Sequence, residues 1–128
     1  MDDYTLKNLR DVDDMAPKFG LAPDLEARFA REDLKCDQTG LSYQRLAPDA
    51  EGSFAHAHGS DEEIYVILSG SGRMRLGDDT VDIGTLDAIR VAPGTVRAFA
   101  AGSDGLELLA FGTHTDDDTS MQEIDWSE

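Results

Sequence analysis

The 128-residue chain carries 27 Asp and Glu against 11 Lys and Arg, a formal net charge of −16. That balance excludes nucleic acid, whose phosphates need a basic face, and disfavours an anionic membrane surface. No apolar run approaches the ~20 residues of a bilayer span, and the length suits one domain, residues 1–128, with an ordinary buried core.

The single cysteine, Cys36, cannot close an internal disulfide and has no nucleophile signature around it, so it reads as structural or incidental, in a reducing compartment. The start, Met-Asp-Asp-Tyr, is acidic and unlike a signal peptide. The expectation is a cytoplasmic protein whose charge serves solubility. An acidic ligand would feel that charge only within the screening length of about 8–10 Å.

Residues 1–38 differ in pattern from the rest of the chain. Leu9, Val12, Met15, Phe19 and Leu21 recur at roughly helical spacing, with Asp11 or Asp13 as a cap and Pro17 and Gly20 keeping the helix short. Leu25–Ala30 reads equally as a helical turn or an edge strand. This segment is expected to be an arm packing across the body or onto a neighbouring subunit.

From Thr39 to about residue 112 the period becomes two. Strand-like runs fall at 40–46, Phe54–His58, Glu63–Leu68, Arg73–Leu76, Val81–Ile83, Leu86–Val91, Val96–Ala100 and Leu106–Phe111. Between them lie Gly70-Ser71-Gly72, Gly77-Asp78-Asp79, Gly84, Pro93-Gly94 and Gly102–Gly105, which predict turns. Short strands at this interval indicate an all-β sandwich or barrel. Residues 113–128 form an acidic polar tail expected to be mobile, with Trp126 able to dock back on the body. His114 is expected to be solvated there. The run Asp116-Asp117-Asp118 lacks the spaced ligands and glycine of a calcium loop.

The chemistry concentrates between Gly52 and Gly70. His56 and His58 occupy positions i and i+2 of one strand, so both imidazoles face the same way. Glu63 follows five residues after His58, and an unbroken strand would put it on the opposite face. Gly59-Ser60-Asp61 has turn chemistry, so the chain can fold back and return a carboxylate to the same spot. Two imidazoles and one carboxylate suit Fe, Mn, Ni or Zn as divalent ions.

Here the sequence resembles the cupin superfamily. Its first signature, His-x-His, three or four residues, Glu, six residues, Gly, matches His56-Ala57-His58, Glu63 and Gly70; counting back from Gly70 selects Glu63 over Glu62. Pro93-Gly94 with Arg97 occupies the place of the second signature, where cupins usually supply a fourth ligand histidine. The resemblance implies a cupin double-stranded β-helix, a jelly-roll barrel, with a short amino-terminal helical or extended arm. It also implies a homodimer, and a divalent metal on His56, His58 and Glu63.

Arg97 cannot ligate a metal, because a guanidinium has no lone pair to give. Two roles stand open: holding a ligand's carboxylate, or neutralising Glu63 in a metal-free site. By strand parity Tyr65 and Ile67 share the face of Glu63, and Thr95 and Phe99 that of Arg97, so Tyr65 and Phe99 join Arg97 as candidate ligand-binding walls. Three functions remain open: a metal-dependent enzyme acting on a small organic acid, a non-catalytic small-molecule binder, or a structural barrel. A serine or cysteine hydrolase is poorly supported.

Overall fold

The computed structural model describes residues 3–127; the first two residues of the acidic start lie outside them. The arm opens with two 3-10 turns, Leu9–Asp11 and Ala16–Phe19, in place of one α-helical turn. Neither expected aspartate caps them. The Asn8 side chain accepts from the Arg10 N–H, and Gly20 ends the second turn at φ 71°. Asp14 acts as a staple instead: its Oδ1 accepts from Ala16 N at 3.0 Å and from Ala27 N at 2.9 Å.

Ala27 belongs to strand β1 (Leu25–Phe29), which resolves the ambiguous segment as an edge strand. Arg28 of β1 donates to the Arg10 and Val12 carbonyls and pairs with Glu26, which also takes Arg45 at 3.0 Å. The arm is thereby fastened to the body by its own charges.

The body comprises β2 (Thr39–Leu46), β3 (Phe54–His58), β4 (Glu63–Leu76), β5 (Asp79–Gly84), β6 (Ala88–Val91), β7 (Arg97–Thr113) and β8 (Thr119–Glu123). Every pairing is antiparallel. The first half of β4 and the last half of β7 pair at the centre of one layer, with β6 beyond β4 and β2 then β1 beyond β7. The other halves pair in a second layer, with β5 beyond β4 and β3 then β8 beyond β7. One eight-stranded sheet thus curls on itself as a jelly roll.

The two long strands correct the expected breaks at Gly70–Gly72 and Gly102–Gly105: both strands continue through them. The pairing slips between Ile67 and Ser69 and again between Gly70 and Gly72, as β-bulges do where strands bend. A Cβ on Gly70, which sits at φ 85°, would collide with the Gly105 carbonyl oxygen, and one on Gly72 with that of Ala100. Glycine is needed here for close backbone approach.

Between the layers, Tyr65, Ile67, Met74, Val91, Leu106 and Leu108 are fully buried. Alternation along β4, β6 and β7 delivers them inward, and each aliphatic one contributes roughly 1.5–3 kcal/mol by burial. The tail also differs from expectation. Its Thr119–Glu123 is β8, paired along all of β3 from Phe54↔Glu123 to His58↔Thr119. Trp126 does dock: its Nε1 donates to the Gly52 carbonyl at 2.9 Å, and the Arg73 and Arg75 guanidinia lie 5.2 and 5.5 Å from its ring centre.

Candidate metal centre

Period-two alternation in β3 turns His56 and His58 to the inner face, their rings 5.2 Å apart and edge to face. The turn after His58 reverses the chain so that β4 begins with Glu63 beside them. Glu63 Oε1 lies 3.8 Å from His56 Nε2 and 3.5 Å from His58 Nε2. These three residues offer ligand atoms all within 4.8 Å of one another.

The turn is held from the tail. The Asp118 carbonyl accepts from Gly59 N at 3.0 Å, and its carboxylate accepts from Ser60 N at 2.9 Å and Asp61 N at 3.3 Å. Asp61 in turn accepts from the Thr113 hydroxyl and from the Thr115 hydroxyl and N–H, at 3.1, 2.9 and 2.8 Å. Burial opposes ionisation of Asp61, but these bonds outweigh it and hold its carboxyl below the usual range. On its far side His58 places Nδ1 3.1 Å from Thr119 Oγ1 and 3.8 Å from Asp118 Oδ2. With Nδ1 so engaged, Nε2 faces Glu63. His58, Asp61 and Asp118 also lie within 4.8 Å of one another, but both carboxylates are already occupied by these donors.

Behind Glu63 stands a buried pair. Arg97 is 0% exposed and spends its donors on Glu63 Oε1 at 3.2 Å, the Tyr65 hydroxyl at 3.1 Å and the Thr95 carbonyl at 2.8 Å. The Tyr65 hydroxyl donates its proton to Glu63 Oε1 and lies 3.3 Å from His56 Nε2. Phe99 packs edge to face on Tyr65 at 5.0 Å. Burial would raise the Glu63 pKa, yet the nearby His56, the hydrogen bond from Tyr65 and the electrostatic pull of His58 and Arg97 hold it down at about 2. Burial pushes the His58 imidazole below its ordinary value, more than Glu63 pulls it up. Burial and the Glu63 charge push the Tyr65 phenol up. Near pH 7 the site therefore presents an ionised carboxylate, a neutral His58 and a protonated Tyr65.

The cluster opens into a cavity of about 1060 Å³ between β1 and β8. His56, His58, Glu63 and Tyr65 line it. Arg97 and Phe99 are absent from its described lining and form a layer behind it. His114 lines it too, with its Nε2 3.0 Å from Asp116 Oδ1. The spacing of His-x-His and Glu made the cluster legible. Asp61, Asp118 and Thr119 were missed, because no spacing signal links a turn to a tail more than fifty residues away.

A curled antiparallel jelly roll with a His-His-Glu cluster at its open end defines a class of small β-barrel proteins. Residues 42–112 match the family described as a cupin domain; this is more than half of the chain, and the chain belongs to that family. No curated protein matches it. Among solved structures it is similar to a cupin protein from Bacteroides fragilis, with a TM-score of 0.73 and 23% identity over 91% of this chain and 89% of that one. A Streptomyces PAC13 variant solved with uridine gives 0.76 and 14%, covering 100% and 98%. The polyketide cyclase RemF from Streptomyces resistomycificus gives 0.74 and 18%, covering 97% and 87%. At these identities the likeness is one of fold.

Proposed function

We propose that this cupin binds one divalent metal, Fe, Mn, Ni or Zn, through His56 Nε2, His58 Nε2 and the Glu63 carboxylate, and that it binds or acts on a small carboxylate-bearing molecule in the adjoining cavity. The observation that carries this is the convergence of three donor atoms on the cavity wall, with Glu63 ionised and His58 neutral. The donor set fits: two imidazoles and one carboxylate make the mixed N/O set of open, three-ligand sites. A metal held there would supply Lewis-acid polarisation of a bound oxygen atom.

The chain's own residues have separable tasks. Asp118 and Thr119 hold the turn and the His58 ring. Arg97 and Tyr65 fix Glu63 from behind, which supports a positioning role for Arg97 in place of direct contact with ligand. Tyr65, protonated and lining the cavity, is placed to hydrogen-bond a ligand. A small molecule as partner is further supported by the fold's likeness to a protein solved with uridine.

A second reading rests on the 3.2 Å contact between Arg97 and Glu63: the guanidinium already compensates the carboxylate, and the barrel works without metal as a binder. Metal content per chain, measured on tag-free protein purified without chelator, separates the two. Near-stoichiometric metal that disappears in His58→Ala supports the first; retention of metal by that variant contradicts the ligand assignment. The implied homodimer belongs to the same proposal, with Phe111, 39% exposed, and its cross-strand neighbour Ile64 as its face, and light scattering at a monomer mass would remove it.

A further inference from the structure

We infer that Arg31 is the anion-binding end of the cavity, and that the ligand is a carboxylate with an apolar or aromatic body lying between Arg31 and the His56, His58 and Glu63 cluster. This rests on the reading that the cavity takes a small carboxylate, and it moves the carboxylate's partner from Arg97 to a residue at the opposite wall.

Alternation carries Leu25, Ala27 and Phe29 of β1, and then Arg31, to the cavity side. Ala30 N donates to the Leu41 carbonyl at 2.9 Å, which sets Arg31 beside Gly40. Gly40 pairs with Gly112, and Gly112 with Glu63. Arg31 and Glu63 therefore end one row across the sheet, three strand spacings apart, or about 14 Å of backbone. The two positions between them carry no side chain. His114 packs beside Gly40, 3.7 Å from where a Cβ would stand, and forms a side wall.

Among the described lining residues Arg31 is the sole arginine or lysine. Its Nη2 donates to the Asp37 carbonyl at 3.2 Å, which anchors the guanidinium, while its Nε is buried and has no hydrogen-bond partner. Buried N–H groups are nearly always satisfied, and one left without an acceptor is destabilising. The Nε is enclosed by protein, so a ligand carboxylate would meet the guanidinium at its terminal nitrogens, of which only Nη2 has a partner among the described residues, and compensate its charge there with a charge-assisted bond. Arg97 has no comparable vacancy, since its Nε and both terminal nitrogens are engaged. Phe19 and Phe29 are 66% and 52% exposed, yet both line the same cavity as Arg31; they offer apolar surface to the ligand's body. Three of the five acidic lining residues are engaged elsewhere: Asp61 by threonines, Glu63 by Arg97 and Tyr65, and Glu51 by Arg73 at 3.0 Å, which leaves Asp24 and Glu123 as the carboxylates that a ligand anion must stay clear of.

Benzoate and its uncharged analogue benzamide are the probes. Each is titrated calorimetrically into the protein as purified and into Arg31→Gln, and the Arg31 Nε–H resonance of arginine-labelled wild type is followed alongside. The expected result is a benzoate-dependent shift of that resonance, benzoate binding weakened about tenfold or more in Arg31→Gln, and benzamide binding unchanged. Equal benzoate affinity in both proteins, or no benzoate binding by wild type, overturns the inference. Metal content and uptake are measured on the same samples: a protein that holds no metal and takes none up on titration, yet whose benzoate binding depends on Arg31, refutes the metal centre and leaves Arg31 standing.

Discussion

At the scale of residues, Glu63 Oε1 is the meeting point of Tyr65, Arg97 and both imidazoles. Removing one partner of a buried pair costs more than the pair contributes, because the other charge is left without compensation. Arg97→Met should therefore lower stability by about 3 kcal/mol in urea unfolding with chelator present, and adding metal should narrow that deficit if Glu63 turns to the ion. A second expectation concerns acid. Hydrogen bonds from Arg28 and Tyr43 hold Glu26 and Glu107 below their ordinary range, and backbone bonds from Ala27 and Ala16 do so for Asp14 against burial. The folded pKa values lie below the unfolded ones, so the unfolded chain binds more protons as pH falls. Their stabilisation is present above about pH 4 and is lost as pH drops through the folded values. The urea midpoint should fall from pH 7 to pH 3, with a shallower fall in Glu26→Gln. At this scale His56, His58 and Glu63 were legible from spacing, and Tyr65 from parity. Arg97 was legible as a substitution for a histidine, but its burial was not, because parity fixes a face and says nothing of depth.

Elements show a different division. Runs of alternating apolar residues marked β2, β3 and β6 well, whereas β4 and β7 looked like separate strands because their glycines mimic turns. Those glycines mark bends within continuous strands, where the backbones of the two strands approach too closely for a Cβ. Gly72→Ala should accordingly destabilise by about 1–3 kcal/mol, read as a lowered urea midpoint with the fold retained. The tail strand β8 escaped notice for the opposite reason. Thr119–Glu123 is exposed at every position and has no apolar face to leave a period in the sequence; its order comes from backbone pairing with β3 and from Asp118. Asp118→Ala removes the side-chain acceptors of Ser60 and Asp61 N–H. It should cost about 1–3 kcal/mol and weaken metal binding without abolishing it, since the three ligands remain; titration calorimetry with Zn(II) would show this as a raised Kd. An unchanged Kd would mean that the tail does not position His58.

For the whole molecule, length, alternation and the cupin signature together anticipated an all-β barrel, and the jelly roll with its family membership agrees. Both ends of the chain required tertiary pairing to be understood: the arm is bound through Asp14 and Arg28, the tail through β3 and Trp126. They flank the same cavity, so the segments least patterned in sequence supply two of its walls. The net charge of −16 lies mostly outside that chemistry; at the site itself a carboxylate is balanced by a buried arginine. The account turns on whether that balance also admits a metal. The decisive measurement is metal per chain by elemental analysis, on wild type and His58→Ala purified alike without chelator or tag. Close to one Fe, Mn, Ni or Zn per wild-type chain, and none in His58→Ala, is the expected result. No metal in wild type and no uptake on titration would contradict it and leave the Arg97–Glu63 pair as the site's resting chemistry.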